Sequence, residues 1–150
     1  MNIRITLATE SLIDSVAFLF DLYRQFYGKE SDLNGAKVFL RERLNSKQSV
    51  VLIAISDEKI VGFTQMYPCF SSLSLKPQFI LNDLFVIEEF RKKGVARKLM
   101  RKAVEFAQSK PNCKGLTLKT AEDNFSAQKL YESENWVKET GFLTYDFELI

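Results

Sequence analysis

Asn82 and Asp83 interrupt an otherwise apolar run, Ile80-Leu81-Asn82-Asp83-Leu84-Phe85-Val86, and shortly after it the chain turns cationic at Arg91-Lys92-Lys93-Gly94-Val95-Ala96-Arg97. Burying either polar residue without a partner is costly, so the pair needs a reason. The chain has no histidine, which removes the usual neutral-pH base, the Ser-His-Asp and Cys-His nucleophile systems and imidazole metal sites. Carboxylates are then the candidates for proton transfer, and Asp83 comes first; a hydrogen-bonded structural aspartate is the equal alternative. The cationic segment has the makings of an anion cradle. A strand passes through a short loop into a helix whose first turn holds Gly94 and Ala96, and a helix N-terminus presents unpaired N–H groups and partial positive charge. A pyrophosphate would suit it. The plainer alternative, a solvated loop and a wet helix face, serves better for the cations after Arg97. Neither GxxxxGK[ST] nor GxGxxG is present, so P-loop and dinucleotide sites drop out.

The charge distribution supports a local site. Net charge is +2, yet residues 91–102 carry seven basic and no acidic side chains, leaving the remainder acidic. A patch this concentrated fits one anionic ligand better than the broad basic face of a nucleic-acid binder. The 150 residues, 46% hydrophobic, suit a single domain, 1–150, with its own core. Cys69 and Cys113 lie far apart without a CxxC, and no run is long enough to span a membrane, so a reduced, cytoplasmic protein is the expectation.

The elements that must position these residues follow from periodicity. Alternation at Ile3, Ile5 and Leu7 predicts a strand. A first helix runs from a capping-box-like Ser11/Asp14 to Gly28, and a second starts at Ser31 or Asp32 and ends near Asn45. Residues 50–55 and 60–67 read as a hairpin, 68–77 as a loop that either crosses a site or merely connects, and 79–86 as a strand buried on both faces. A helix over 94–108, a strand over 116–120, a short helix over 124–133 and two closing strands at 136–138 and 142–149 complete the chain, with Trp136 in the core. The result is an α/β (α+β) domain of about seven strands and four helices in the order β-αα-βββ-α-β-α-ββ.

Arg91-x-x-Gly94-x-Ala96 after a strand resembles the acyl-CoA pyrophosphate loop, [RQ]xxGx[GA], of the GNAT (Gcn5-related N-acetyltransferase) superfamily. Asn124-Phe-Ser-Ala127-Gln-Lys-Leu-Tyr131 resembles the second signature of that family, and the element order agrees with it. The resemblance implies a mixed sheet whose fourth and fifth strands splay around acetyl-CoA, the co-substrate, with no metal. It implies that the backbone of Leu84, Phe85 and Val86 holds the pantetheine and thioester, and that Arg91, Lys92, Lys93, Gly94, Val95, Ala96 and Arg97 hold the pyrophosphate. Asn124 would bond the pantetheine or a water, and Ala127 would line the channel. Tyr131 would protonate the leaving thiolate; on its own it reads rather as a packing aromatic, and Asn124 seven residues upstream reverses that preference. Two positions depart from the pattern: Ala96 stands where glycine is common, and Asn135 replaces a glycine before Trp136, where asparagine tolerates a positive φ.

The function implied is N-acetylation of a primary amine, a small molecule, by direct attack on the thioester. Asp83 would serve as the base or bind the cationic amine. Related diamine-acetylating enzymes have a Glu-Asp pair here, and Asn82 in place of the first carboxylate makes a water relay the natural variant. Tyr23, Phe26, Tyr27, Tyr67 and Phe70 would wall the acceptor side. A CoA-binding sensor without transfer is the rival reading. Neither nucleic acid nor membrane is expected as a partner, and a homodimer is possible.

Overall fold

The computed structural model describes residues 1–150, which divide into two compact units, Met1–Lys119 and Thr120–Ile150. The first unit holds β1 (Arg4–Leu7), α1 (Ile13–Phe26), α2 (Leu33–Asn45), β2 (Val50–Ser56), β3 (Lys59–Ser71), β4 (Lys76–Val86), α3 (Val95–Gln108) and β5 (Leu116–Thr117). The second holds α4 (Phe125–Ser133). The five strands form one mixed sheet in chain order, with antiparallel pairing from β1 to β4 and parallel pairing of β4 with β5.

Strand alternation places the helices. Gly62 and Phe63 are neighbours on β3 and so face opposite sides. A Cβ on Gly62 would come within 3.3 Å of Leu99 of α3, whereas the Phe63 ring lies 6.1 Å from Phe20 and 5.9 Å from Tyr23 of α1. Hence α1 covers one face and α3 the other. The α1 stripe Ile13, Val16, Ala17, Leu19 and Phe20 and the α3 stripe Val95, Leu99, Met100, Ala103 and Ala107 are buried. Phe63 is fully buried on the α1 face, and truncating such a phenylalanine typically costs about 3–5 kcal/mol.

Three expectations are corrected. The Ser11/Asp14 box does not form: no side chain caps α1, and the Ser11 hydroxyl bonds Thr9 instead. The 68–77 segment is mostly strand, because β3 and β4 run on as a hairpin arm to the pair Ser71 and Lys76, with Leu75 at φ +56° in the turn. The sheet has five strands rather than about seven. β5 is two residues long, and residues 136–150 make no ladder. A strand exists through its partner, and the alternation of Leu143, Tyr145, Phe147 and Leu149 marks one apolar face without supplying a partner. Those four side chains stay exposed, and Trp136 is only half-buried.

Candidate active site

β4 pairs with β5 only through Phe79 and Ile80, so from Leu81 to its end one edge of β4 is open. The amides on that edge follow from the ladder on the other side. Ile87 N–H bonds Val61 C=O at 2.9 Å, which turns the backbone groups of Ile87, Phe85 and Asp83 toward β3 and those of Val86 and Leu84 outward. Two contacts agree with this parity. The Thr64 hydroxyl bonds Asp83 C=O at 2.8 Å, and Phe85 C=O is the atom that a Cβ on Gly62 would strike. Of the three residues expected to hold an extended ligand by their backbone, Leu84 and Val86 present amides for strand addition. Phe85 does not; its ring packs 6.5 Å from Phe63.

At the end of this edge the chain bends through Lys92 (φ +61°) and Gly94 (φ +81°) into α3, whose N-terminus no side chain caps. A Cβ on Gly94 would meet nothing within 4 Å, so its glycine serves the left-handed turn rather than clearance. Val95 is buried and contributes only its N–H to the first turn, while Lys92 and Lys93 are exposed beside it and Ala96 and Arg97 are half-buried. Arg91 has a different task. Its Nε donates to Val86 C=O at 2.8 Å, and its guanidinium lies 5.3 Å from the Phe85 ring and 5.5 Å from Phe26. This pins the loop to the end of β4 and takes the one outward carbonyl of Val86.

Asp83 lies one residue before Leu84, on the α1 face, and is only 5% exposed. Its Oδ2 accepts from Gln65 Nε2 at 2.7 Å and its Oδ1 from Asn82 Nδ2 at 3.1 Å, and the Tyr23 hydroxyl donates to it as well. Burial raises the Asp83 pKa, and these three donors oppose the rise without cancelling it. Its proximity is felt in return: burial and then the Asp83 charge raise the pKa of Tyr23, and push that of Tyr67 up to about 12. Regular alternation sends Asn82 and Asp83 to opposite faces. The register instead slips so that Gln65 pairs with Asp83 and Met66 with Leu81, leaving Asn82 as a bulge whose side chain bends back to its neighbour.

Gln65 is absent from the sequence-derived site. It is fully buried inside the apolar run of β3, and its Oε1 accepts from the Ser49 hydroxyl at 2.6 Å. A glutamine in a run reading Ile-Val-Gly-Phe-Thr-Gln-Met was the available signal, since a buried amide needs partners for both ends. The expected aromatic wall forms in part: Tyr23 stacks edgewise on Tyr27, Phe63 and Phe85, and Phe26 on Tyr27, whereas Phe70 stands exposed on the hairpin arm. A groove of about 1100 Å³ runs along α1 past the β2–β3 turn and has Phe26, Phe85 and Arg91 on its wall. No three potential metal ligands come together.

In the second unit, Asn124 caps α4 by accepting from Ala127 N–H at 3.2 Å, which explains that pair locally. Tyr131 follows two turns along, half-buried, its ring 6.4 Å from Trp136. Asn135 adopts φ +67°, the conformation expected where a glycine is usual.

Comparison with known proteins finds acetyltransferases. The model of the acetyltransferase (GNAT) family matches residues 16–135. The uncharacterized N-acetyltransferase YhfO of Bacillus subtilis is 43% identical over 97% of this chain and 95% of its own length. A probable acetyltransferase of Haemophilus influenzae is 35% identical over 59% of this chain and 61% of its own. A crystal structure of a probable acetyltransferase superposes with a TM-score of 0.90 at 40% identity, covering 98% of each chain. The aminoglycoside N-acetyltransferase AAC(6')-Iy, solved with CoA, shares the fold at a TM-score of 0.81 and 19% identity, over 99% of this chain and 96% of its own.

Proposed function

Since this chain belongs to the GNAT acetyltransferase family, we propose that it transfers the acetyl group of acetyl-CoA to a small-molecule primary amine by direct attack on the thioester. The observation that carries the reading is one constellation in the first unit: an open β4 edge with outward Leu84 and Val86 amides, an uncapped helix N-terminus at its end, and a buried carboxylate, Asp83, at its start.

In this reading the Leu84 and Val86 N–H groups bind the pantetheine and the thioester oxygen. A backbone donor aimed at a developing oxyanion is worth about 2.7–4 kcal/mol. The pyrophosphate lies against residues 92–97, where the first-turn N–H groups of α3 and the ammonium groups of Lys92 and Lys93 meet it. Arg91 shapes this cradle by holding Val86, and Phe85 supports it from the sheet side. Asp83 attracts the protonated amine and takes its proton, directly or through a water. The free amine then attacks the thioester carbon, and as the carbon–sulfur bond breaks Tyr131 gives its proton to the departing thiolate while the new amide nitrogen sheds its second proton to water, from which Tyr131 is reprotonated. Asn124 and Ala127 serve the cofactor arm, as the family resemblance assigns them. No covalent acetyl-enzyme is required.

The whole of residues 1–150 acts as one N-acetyltransferase domain in the cytoplasm, without nucleic acid, membrane or metal as a partner. The exposed face of Leu143, Tyr145, Phe147 and Leu149 favours a homodimer that covers it. Calorimetry with acetyl-CoA, followed by thiol release with a panel of primary amines, tests the reading. Binding with release for at least one amine supports it. Binding without release for any amine transfers the assignment to a CoA sensor, and a folded protein that does not bind acetyl-CoA overturns both.

A further inference from the structure

Three consecutive segments of the sheet contribute one polar side chain each to a single chain of hydrogen bonds: Ser49 ahead of β2, Gln65 on β3 and Asp83 on β4. All three are buried, Gln65 completely. A carboxylate that needs only neutral partners for burial already has two, Asn82 and Tyr23. The Gln65 amide adds directionality, because its two ends are chemically different. Ser49 donates to Oε1, and so the amino end faces Asp83; with the amide reversed, Oε1 would oppose the carboxylate. We propose that Gln65, oriented by Ser49, is a positioning residue that aims the Asp83 carboxylate and sets its proton affinity for acetyl transfer.

This rests on the reading of Asp83 as the proton acceptor. The groups that face Asp83 are Tyr23 from α1, Gln65 and Tyr67 from β3 and Asn82 from β4, with Tyr27 acting on Tyr23 and Arg43 of α2 on Tyr67. Both tyrosines are shifted further above the neutral range, so among these groups Asp83 is the one that can take up a proton from the amine. Burial favours its protonated form and the Gln65 amide favours the ionised one. Removing the amide donor therefore leaves Asp83 protonated to higher pH, where it cannot accept the proton of the amine.

The test measures kcat/KM against pH for acetyl-CoA with the best amine of the panel, in Gln65→Met, Ser49→Ala, Ser49→Thr and Asp83→Asn. Gln65→Met should move the ascending limb to higher pH and lower the rate at pH 7 by about tenfold or more, the usual worth of a hydrogen bond to a charged group. The rate should recover as pH rises, with acetyl-CoA affinity by calorimetry unchanged. Ser49→Ala should shift the limb the same way by less, and Ser49→Thr, which keeps the hydroxyl, should restore it. If Asp83→Asn is inactive while Gln65→Met and Ser49→Ala keep the wild-type profile, the inference falls and the reading of Asp83 stands. An active Asp83→Asn overturns that reading instead. The melting temperature relative to Asp83→Asn, followed from pH 4 to 9, needs no substrate. Gln65→Met must deepen its decline with rising pH, and an unchanged curve overturns the inference in either case.

Discussion

At the scale of single residues, the site is built from side chains whose environments oppose their ordinary behaviour. Asp83 carries a carboxyl group into a buried position and keeps a raised pKa despite three donors. The sign of the linkage follows. A carboxyl group protonated more readily in the folded chain than in the unfolded one costs stability as pH rises from the unfolded pKa to the folded one. Asp83→Asn removes that cost and keeps an oxygen for Gln65 to donate to. Its denaturation midpoint at pH 7 should equal or exceed that of the wild type while turnover falls by at least about a hundredfold; chemical unfolding beside a thiol-release assay checks both halves. Arg91 behaves as a pin. Arg91→Lys keeps the charge but has no planar group to lie between Phe26 and Phe85 while reaching Val86 C=O. It should weaken acetyl-CoA binding about as much as Arg91→Ala does, and a lysine variant that binds like wild type in calorimetry would return Arg91 to the role of a simple counter-charge.

At the scale of elements, the helices and the hairpin were legible because their signals are periodic, and the site's fine geometry was not because a bulge has no period. The α3 stripe and the Asp57–Glu58 turn follow from spacing that survives in the structure, and of the two caps the sequence offered for α2, Ser31 and Asp32, the structure uses Asp32. The extra residue at Asn82 changes no composition, yet it decides that Asn82 and Asp83 touch. Gln65 was hidden for a related reason: a single amide in an apolar strand is visible, but its partners lie 16 and 18 residues away on other segments. The connection between α1 and α2 illustrates a local device. Buried Asp21 accepts from Ser31 Oγ at 2.6 Å, from Asp32 N–H at 2.8 Å and from Gln25 at 3.1 Å, with Arg24 nearby. Burial pushes its pKa up, but the Ser31 and Asp32 bonds lead a set of opposing effects that leave it below the usual carboxylate value. The sign is therefore opposite to that of Asp83. The clamp stabilises the fold at pH values above about 4, the ordinary carboxylate range, and is lost as pH falls through the folded pKa. Asp21→Ala, which removes the shared charged acceptor of the Ser31 hydroxyl and Asp32 N–H, should cost about 1.5–3 kcal/mol at pH 7 and progressively less in acid, measured by urea unfolding between pH 3 and 7.

For the whole molecule, the unresolved demand of the sequence is the apolar side of residues 143–149. Single exposed apolar residues are ordinary, but four at alternate positions on a segment without a strand partner form a concentrated apolar stretch. In a two-fold arrangement each copy contributes the same four side chains. At roughly 150 Å² apiece the eight approach the ~1,200 Å² at which specific interfaces become stable, without counting any main-chain pairing. Mass action then separates a dimer from a monomer with a bare tail. A dimer that protects the folded state melts at a temperature that rises with protein concentration, whereas a monomer does not. Replacing Tyr145 and Phe147 by serine should remove that dependence and reduce the mass seen by light scattering from two copies to one. If the tail is solvated in a monomer, the same double substitution changes stability by no more than about 0.5 kcal/mol and leaves mass untouched, because side chains already in water lose nothing on truncation.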